Sequence, residues 1–256
     1  MPKETIGKTI GVAVAVCVVC SVFVSTAAVC LKKRQVRNRD MEKKTNVLQA
    51  AGLLPADGAA DVDALFGEIE TQVVDLADHE LEDDVSPEDL NPTKDAQEPD
   101  RSIQVEDPKL GIKRLGRYRP IYLTRDGDRI ERVVLPIVGK GLWSTMYGFL
   151  ALDSDMTTVK SLAFYQHGET PGLGGEVDNP RWKKSWIDKK AYGDDWEPEI
   201  DVVKGRAPPG AEHEVDGLSG ATLTARGVEN LVRFWLGDEG YGPILKKLAQ
   251  GEHDDG

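Results

Sequence analysis

The pattern of apolar and polar positions divides the chain before any composition is counted. Residues 9–31 read TIGVAVAVCVVCSVFVSTAAVCL, 23 positions without a charge. At about 1.5 Å of rise per residue a helix of this length crosses a hydrocarbon core about 30 Å thick. A signal peptide is the rival reading, because Lys3 and Lys8 precede the run. Signal cores are usually ~7–15 residues long and end at a small-residue cleavage site. This run is longer and ends in the basic cluster LKKRQVRNR. The pattern therefore predicts a short tail (1–8) and one retained transmembrane helix (9–31).

Residues 32–51 are charged but helix-compatible and stop at Gly52. Val47, Leu48, Ala50 and Ala51 begin an apolar face, and residues 61–71 continue it with Val62, Leu65, Phe66 and Ile69. The segment 32–74 thus reads as a helical stalk that docks on a following domain. Residues 75–108 are acidic and dotted with proline, which predicts a solvated, flexible loop. No stretch in it has the ligand order and central glycine of an EF-hand.

The period then changes from helical to two. Residues 117–139 (RYRPIYLTRDGDRIERVVLPIVG) hold two strand-like runs around Asp126-Gly127, a hairpin signal. Residues 146–168 repeat the plan around an Asp/Ser turn. A short helix over 179–189 puts Trp182 and Trp186 one turn apart. A strand over 200–203, helices over 224–236 and 243–249, and an acidic tail (251–256) complete the order. Antiparallel strands followed by gathered helices make an α+β domain over 109–250.

Charge and cysteine usage narrow the function. A net charge of −12 and a pI near 4.9 argue against nucleic-acid binding, which needs a basic face. The three cysteines, Cys17, Cys20 and Cys30, all lie within the first 30 residues. The rest of the chain therefore holds no disulfide framework, cysteine-ligated zinc or iron–sulfur cluster. Cys17-x-x-Cys20 has redox-motif spacing, but in a Val/Ala-rich helix it reads as packing.

Three polar segments are candidates for chemistry. HGETPGLGGEVDNPRW (167–182) is glycine-rich, as a tight turn or a ligand-covering loop would be. It is neither a P-loop nor a dinucleotide fingerprint. His167 with Glu169 has no third group to complete an acid–base set, and His213 lacks companion metal ligands; no metal site is predicted. GKGLWSTMYG (139–148) offers Trp143, Ser144 and Met146 in a glycine-flanked bend, suited equally to a flat ring partner and to core packing. DGLSGATLTARGV (216–228) sets small residues and hydroxyls before a helix start. Such a start seats phosphate on its free N–H groups, or Thr222 or Thr224 simply caps it.

Taken together, DGLSGAT and ETPGLG resemble the two signatures of FMN-binding domains. With the single N-terminal span, NVLQAAGL behind it, GKGLWSTMYG and the tryptophan context, the chain resembles the C-type subunits of the Na+-translocating NADH:quinone oxidoreductases over nearly its whole length. The G-type subunit of the Rnf electron-transport complex shares both signatures and is the alternative. A membrane-anchored protein binding a free phosphorylated ligand is a third, non-redox reading. The resemblance implies an antiparallel-sheet domain with flanking helices, carrying electrons between partners within a membrane complex that uses NAD and ubiquinone. It implies FMN joined through its phosphate to Thr222 by a flavin transferase that recognises Asp216, Ser219, Gly220 and Ala221. Thr224 is then left as the ordinary helix cap. It also implies a flavin ring lined by Glu169, Thr170, Pro171, Gly172, Leu173 and Gly174, with Trp143, Ser144 and Met146 as further contacts. Thr222 would be an attachment point, and no catalytic residue is implied. The family's flavin domain faces the periplasm of the bacterial inner membrane. The basic cluster after the span, by the positive-inside rule, points the other way.

Overall fold

The computed structural model describes residues 6–54 and 61–251, so the greater part of the predicted N-terminal and acidic tails lies outside the described residues. Helix α1 (Ile6–Ala51) opens the chain and contributes to two compact units, one up to Lys44 and one from Thr45 onward. In the first unit the apolar side chains of the predicted span, among them Val12, Val19 and Phe23, are exposed. The helix is long and apolar enough to cross a membrane.

The second unit begins with the last turns of α1. Gly52 (φ 71°) ends them in left-handed geometry, with Leu53 N–H reaching back to the Leu48 carbonyl at 2.9 Å, as a glycine-terminated helix requires. Then follow α2 (Val62–Phe66), β1 (Glu70–Asp75), β2 (Glu80–Leu81), α3 (Pro92–Asp95), β3 (Ser102–Gln104) and β4 (Arg114–Gly116). The long strands are β5 (Tyr118–Asp126), β6 (Arg129–Lys140), β7 (Thr145–Asp153) and β8 (Val159–Gln166). After α4 (Pro180–Lys184), β9 (Asp201–Val202) and β10 (Glu214–Val215) come α5 (Thr222–Leu236) and α6 (Gly242–Gln250).

Six strands form one antiparallel sheet in the order β2-β1-β5-β6-β7-β8. The predicted hairpin is present, with Asp126 paired to Arg129 and Gly127 at φ 60° in the turn. The middle stretches of β6 and β7 are buried on both faces. One face sends Tyr122, Val134, Phe149 and Ala151 against Val47, Leu48, Ala50 and Ala51 of α1 and against α2. The other sends Ile121, Leu123, Val133, Leu135, Leu150 and Leu152 into the larger core closed by α5 and α6. Alternate residues serve opposite layers, as the two-residue pleat dictates.

Four expectations need correction. The acidic stretch 75–108 is threaded with short elements, because two of its carboxylates are neutralised at buried positions. Asp75 (3% exposed) pairs with Arg117, and Asp95 (5% exposed) pairs with Arg101 at 3.0 Å. A net-charge reading cannot see Arg117 arriving from outside the stretch or Arg101 folding back within it. The stalk is not helical to residue 74: α2 supplies the expected amphipathic turn, and β1 then joins the sheet through its pairing with β5. The compact unit accordingly starts at Thr45, well before residue 109. Finally, α4 ends at Lys184, although Trp182 and Trp186 still meet edge to face at 5.6 Å.

Candidate functional site

Three connections carry the segments singled out from the sequence: the bend between β6 and β7, the loop that leaves β8, and the loop that enters α5. Glycines let them approach one another closely. At Gly227, one turn into α5, an added Cβ would lie 2.5 Å from the Lys140 carbonyl oxygen, so α5 presses directly on the end of β6. At Gly220 (φ 71°) an added Cβ would lie 3.1 Å from Leu173 Cδ2, which brings the two signatures into contact. Trp182 fastens the second loop to the third, its indole N–H donating to the Asp216 carbonyl at 2.7 Å. The Asp216 carboxylate accepts the Ala207 N–H at 2.8 Å and so holds the preceding loop.

Glu169 is where all three connections converge. Its Oε1 accepts the Trp143 N–H (3.0 Å), the Ser144 N–H (3.1 Å) and the Ser144 hydroxyl (3.2 Å). Its Oε2 accepts the Thr224 hydroxyl at 2.7 Å and the Leu142 N–H at 3.3 Å. Burial alone would raise the carboxyl pKa. The donors, led by Thr224 and followed by Trp143 and Ser144, outweigh it and hold the group below its ordinary value. Ser144 adds a second tie by accepting the Gly168 N–H at 2.7 Å. His167 Nδ1 accepts the Glu169 N–H at 3.2 Å, and its Nε2 meets Asp178 at 2.8 Å.

Thr222 stands exposed in the first turn of α5. Ala221 occupies the N-cap position and no side chain caps the helix, so the first N–H groups are open. Thr224, expected as the ordinary cap, is buried and gives its hydroxyl to Glu169 instead. Around this turn the structure exposes large apolar side chains that a soluble surface rarely gathers: Trp143 (69% exposed), Leu223 (57%), Leu173 (46%) and Leu142 (41%). Thr170, Pro171, Gly172, Ser219 and Gly220 are also exposed, and Ala221 and Gly174 lie buried behind them. Met146 is fully buried in the core and does not reach the surface of the site.

Along the opposite flank of α5 runs a cavity of about 560 Å³, lined by Thr222, Arg226 and Glu229 and walled by Val203, Lys204 and Gly217. That size is usual for a small-molecule site. Leu142, Leu223 and the cationic pair Lys204 and Arg226 escaped the sequence reading. Leu223 carried a local signal, since it stands outside the stripe of Thr224, Val228, Leu231 and Trp235 that α5 buries.

Comparison with known proteins places these features in a family. The FMN-binding domain family matches residues 141–237, from the β6–β7 bend to the end of α5. The chain is 46% identical to the C subunit of the Na(+)-translocating NADH-quinone reductase of Yersinia pestis, over 99% of this chain and 97% of that protein. It is 45% identical to the protein of the same name from Vibrio alginolyticus, over 98% of each. The crystal structure of Shewanella oneidensis NqrC superposes with a TM-score of 0.77 at 31% identity, covering 84% of this chain and 99% of that one. With similarity of that depth over nearly its full length, the chain belongs to the NqrC family, the C subunits of the Na(+)-translocating NADH-quinone reductases.

Proposed function

We propose that this chain is the electron-carrying subunit of a membrane Na+-translocating NADH:quinone reductase, with FMN held as a phosphoester on Thr222. The observation that carries the reading is the meeting of both signature loops around an exposed threonine on an uncapped helix start. Open N–H groups and the positive end of the α5 dipole suit a phosphate. Thr222 carries an exposed hydroxyl in that turn able to bond it, and Ala221 and Gly220 offer no large side chain beside it. Trp143, Leu173, Leu142 and Leu223 present an apolar surface suited to a flat ring. Arg226, one turn beyond Thr222, adds a cation on the cavity side of α5.

Bound there, FMN supplies the redox chemistry, accepting and passing on electrons. The chain's own residues bind it, orient it and limit its exposure to water. NAD and ubiquinone are substrates of the complex, so this subunit needs no substrate pocket of its own. Its partners are the other membrane subunits, which α1 meets through a single span over 9–31, and a flavin transferase that reads Asp216, Ser219, Gly220 and Ala221. The domain sits on the periplasmic side of the bacterial inner membrane.

A denaturing gel tests the attachment. Full-length chain produced together with a flavin transferase should give a fluorescent band, and Thr222→Ala should give a dark one. Equal fluorescence from the two chains contradicts the reading.

A further inference from the structure

A carboxylate withdrawn from water must have its oxygens satisfied by donors. Glu169 is 4% exposed, and the donors it has found come from both directions along the chain. Trp143, Ser144 and Leu142 lie 25 to 27 residues before it, and Thr224 lies 55 residues after it. Two glycines leave room for this arrangement. A Cβ at Gly141 would lie 2.5 Å from Glu169 Oε1; one at Gly174 would lie 2.8 Å from Oε2 and 2.6 Å from the Thr224 hydroxyl. Neither glycine has a left-handed φ, so space for the carboxylate, not backbone freedom, is what both positions provide.

We propose that Glu169 is the positioning residue of the flavin site: its one carboxylate fixes the bend that carries Trp143 against the helix turn that carries Thr222. This rests on reading Thr222 as the attachment point. Glu169 itself is turned inward, and it acts through the residues it holds. Two consequences separate this role from plain packing. Both carboxylate oxygens accept backbone N–H groups of the bend, so an isosteric amide must turn its NH₂ against at least one of them, the Leu142 N–H or those of Trp143 and Ser144. The buried negative charge also disfavours the electron-rich form of a flavin held by the same segments.

The test uses the full-length chain in detergent, produced with a flavin transferase, and reads covalent load, flavin midpoint potential and amide exchange. Glu169→Gln should speed exchange within the Leu142–Ser144 bend by roughly tenfold or more, since an amide that loses its acceptor opens more readily. It should also shift the midpoint potential to a more positive value. Thr224→Val keeps the charge and removes one tether. It should speed exchange at Ala225, the first hydrogen-bonded amide of α5, and move the potential less than Glu169→Gln does. A flavinylated Glu169→Gln chain with wild-type exchange and wild-type potential overturns the proposal. If that variant does not fold, Thr224→Val decides: unchanged exchange at Ala225 overturns it. A wild-type chain without covalent flavin would instead overturn the attachment reading, so the two failures are distinct.

Discussion

Glu169 ties the acid stability of the domain to the geometry of its site. Its pKa is lowered in the folded chain, so the stability it contributes is present above the unfolded value of about 4.3 and is lost as pH falls through the folded one. Glu169→Gln removes that linkage. The stability gap between wild type and Glu169→Gln, followed by urea unfolding at a series of pH values, should therefore narrow as the pH drops below about 4.3. A gap that stays constant or widens would contradict the hydrogen-bonded carboxylate described here. Single residues also differ in how far local sequence reveals them. The place of Thr222 at an open helix start was legible, because small neighbours and hydroxyls lie within one short motif. The partner of Thr224 was not, because the carboxylate it serves lies 55 residues away and nothing local distinguishes a capping hydroxyl from a tethering one.

Among the elements, α5 carries the site and is located by its contact with β6. Gly227 makes that contact close, with the Lys140 carbonyl oxygen 2.5 Å from any added Cβ and Gly141 Cα at 3.1 Å. Gly227→Ala improves helix propensity but must push α5 off the strand. It should lower the unfolding free energy by about 1–3 kcal/mol, the usual range for overpacking. A neutral or stabilised variant in urea unfolding would contradict the close approach. The four long strands and α5 were legible from periodicity, because burial on one or both faces writes itself into the sequence. The short elements between β1 and β5 were not. Their order depends on Arg117 and Arg101 reaching Asp75 and Asp95, and composition reads those same carboxylates as a reason for disorder. The docking of α1 was legible in Val47, Leu48, Ala50 and Ala51, and Gly52 closed the helix where the pattern stopped.

For the protein in its membrane, the proposed arrangement joins a span over 9–31 to a redox domain on the periplasmic side. The basic cluster LKKRQVRNR favours the opposite orientation, and flanking charge is a weak guide for large domains. Protease added to the outside of cells whose outer membrane has been opened should cleave the domain; a protected domain would reverse the orientation. The proposed function itself turns on a single bond. Trypsin should release residues 207–226 as one peptide, bounded by Arg206 and Arg226 and containing Ser219, Thr222 and Thr224. Fragmentation mass spectrometry of that peptide, from full-length chain produced with a flavin transferase, locates any FMN to one hydroxyl. The expected result is flavin on Thr222 alone; flavin on Ser219 or Thr224, or an unmodified peptide, would contradict it.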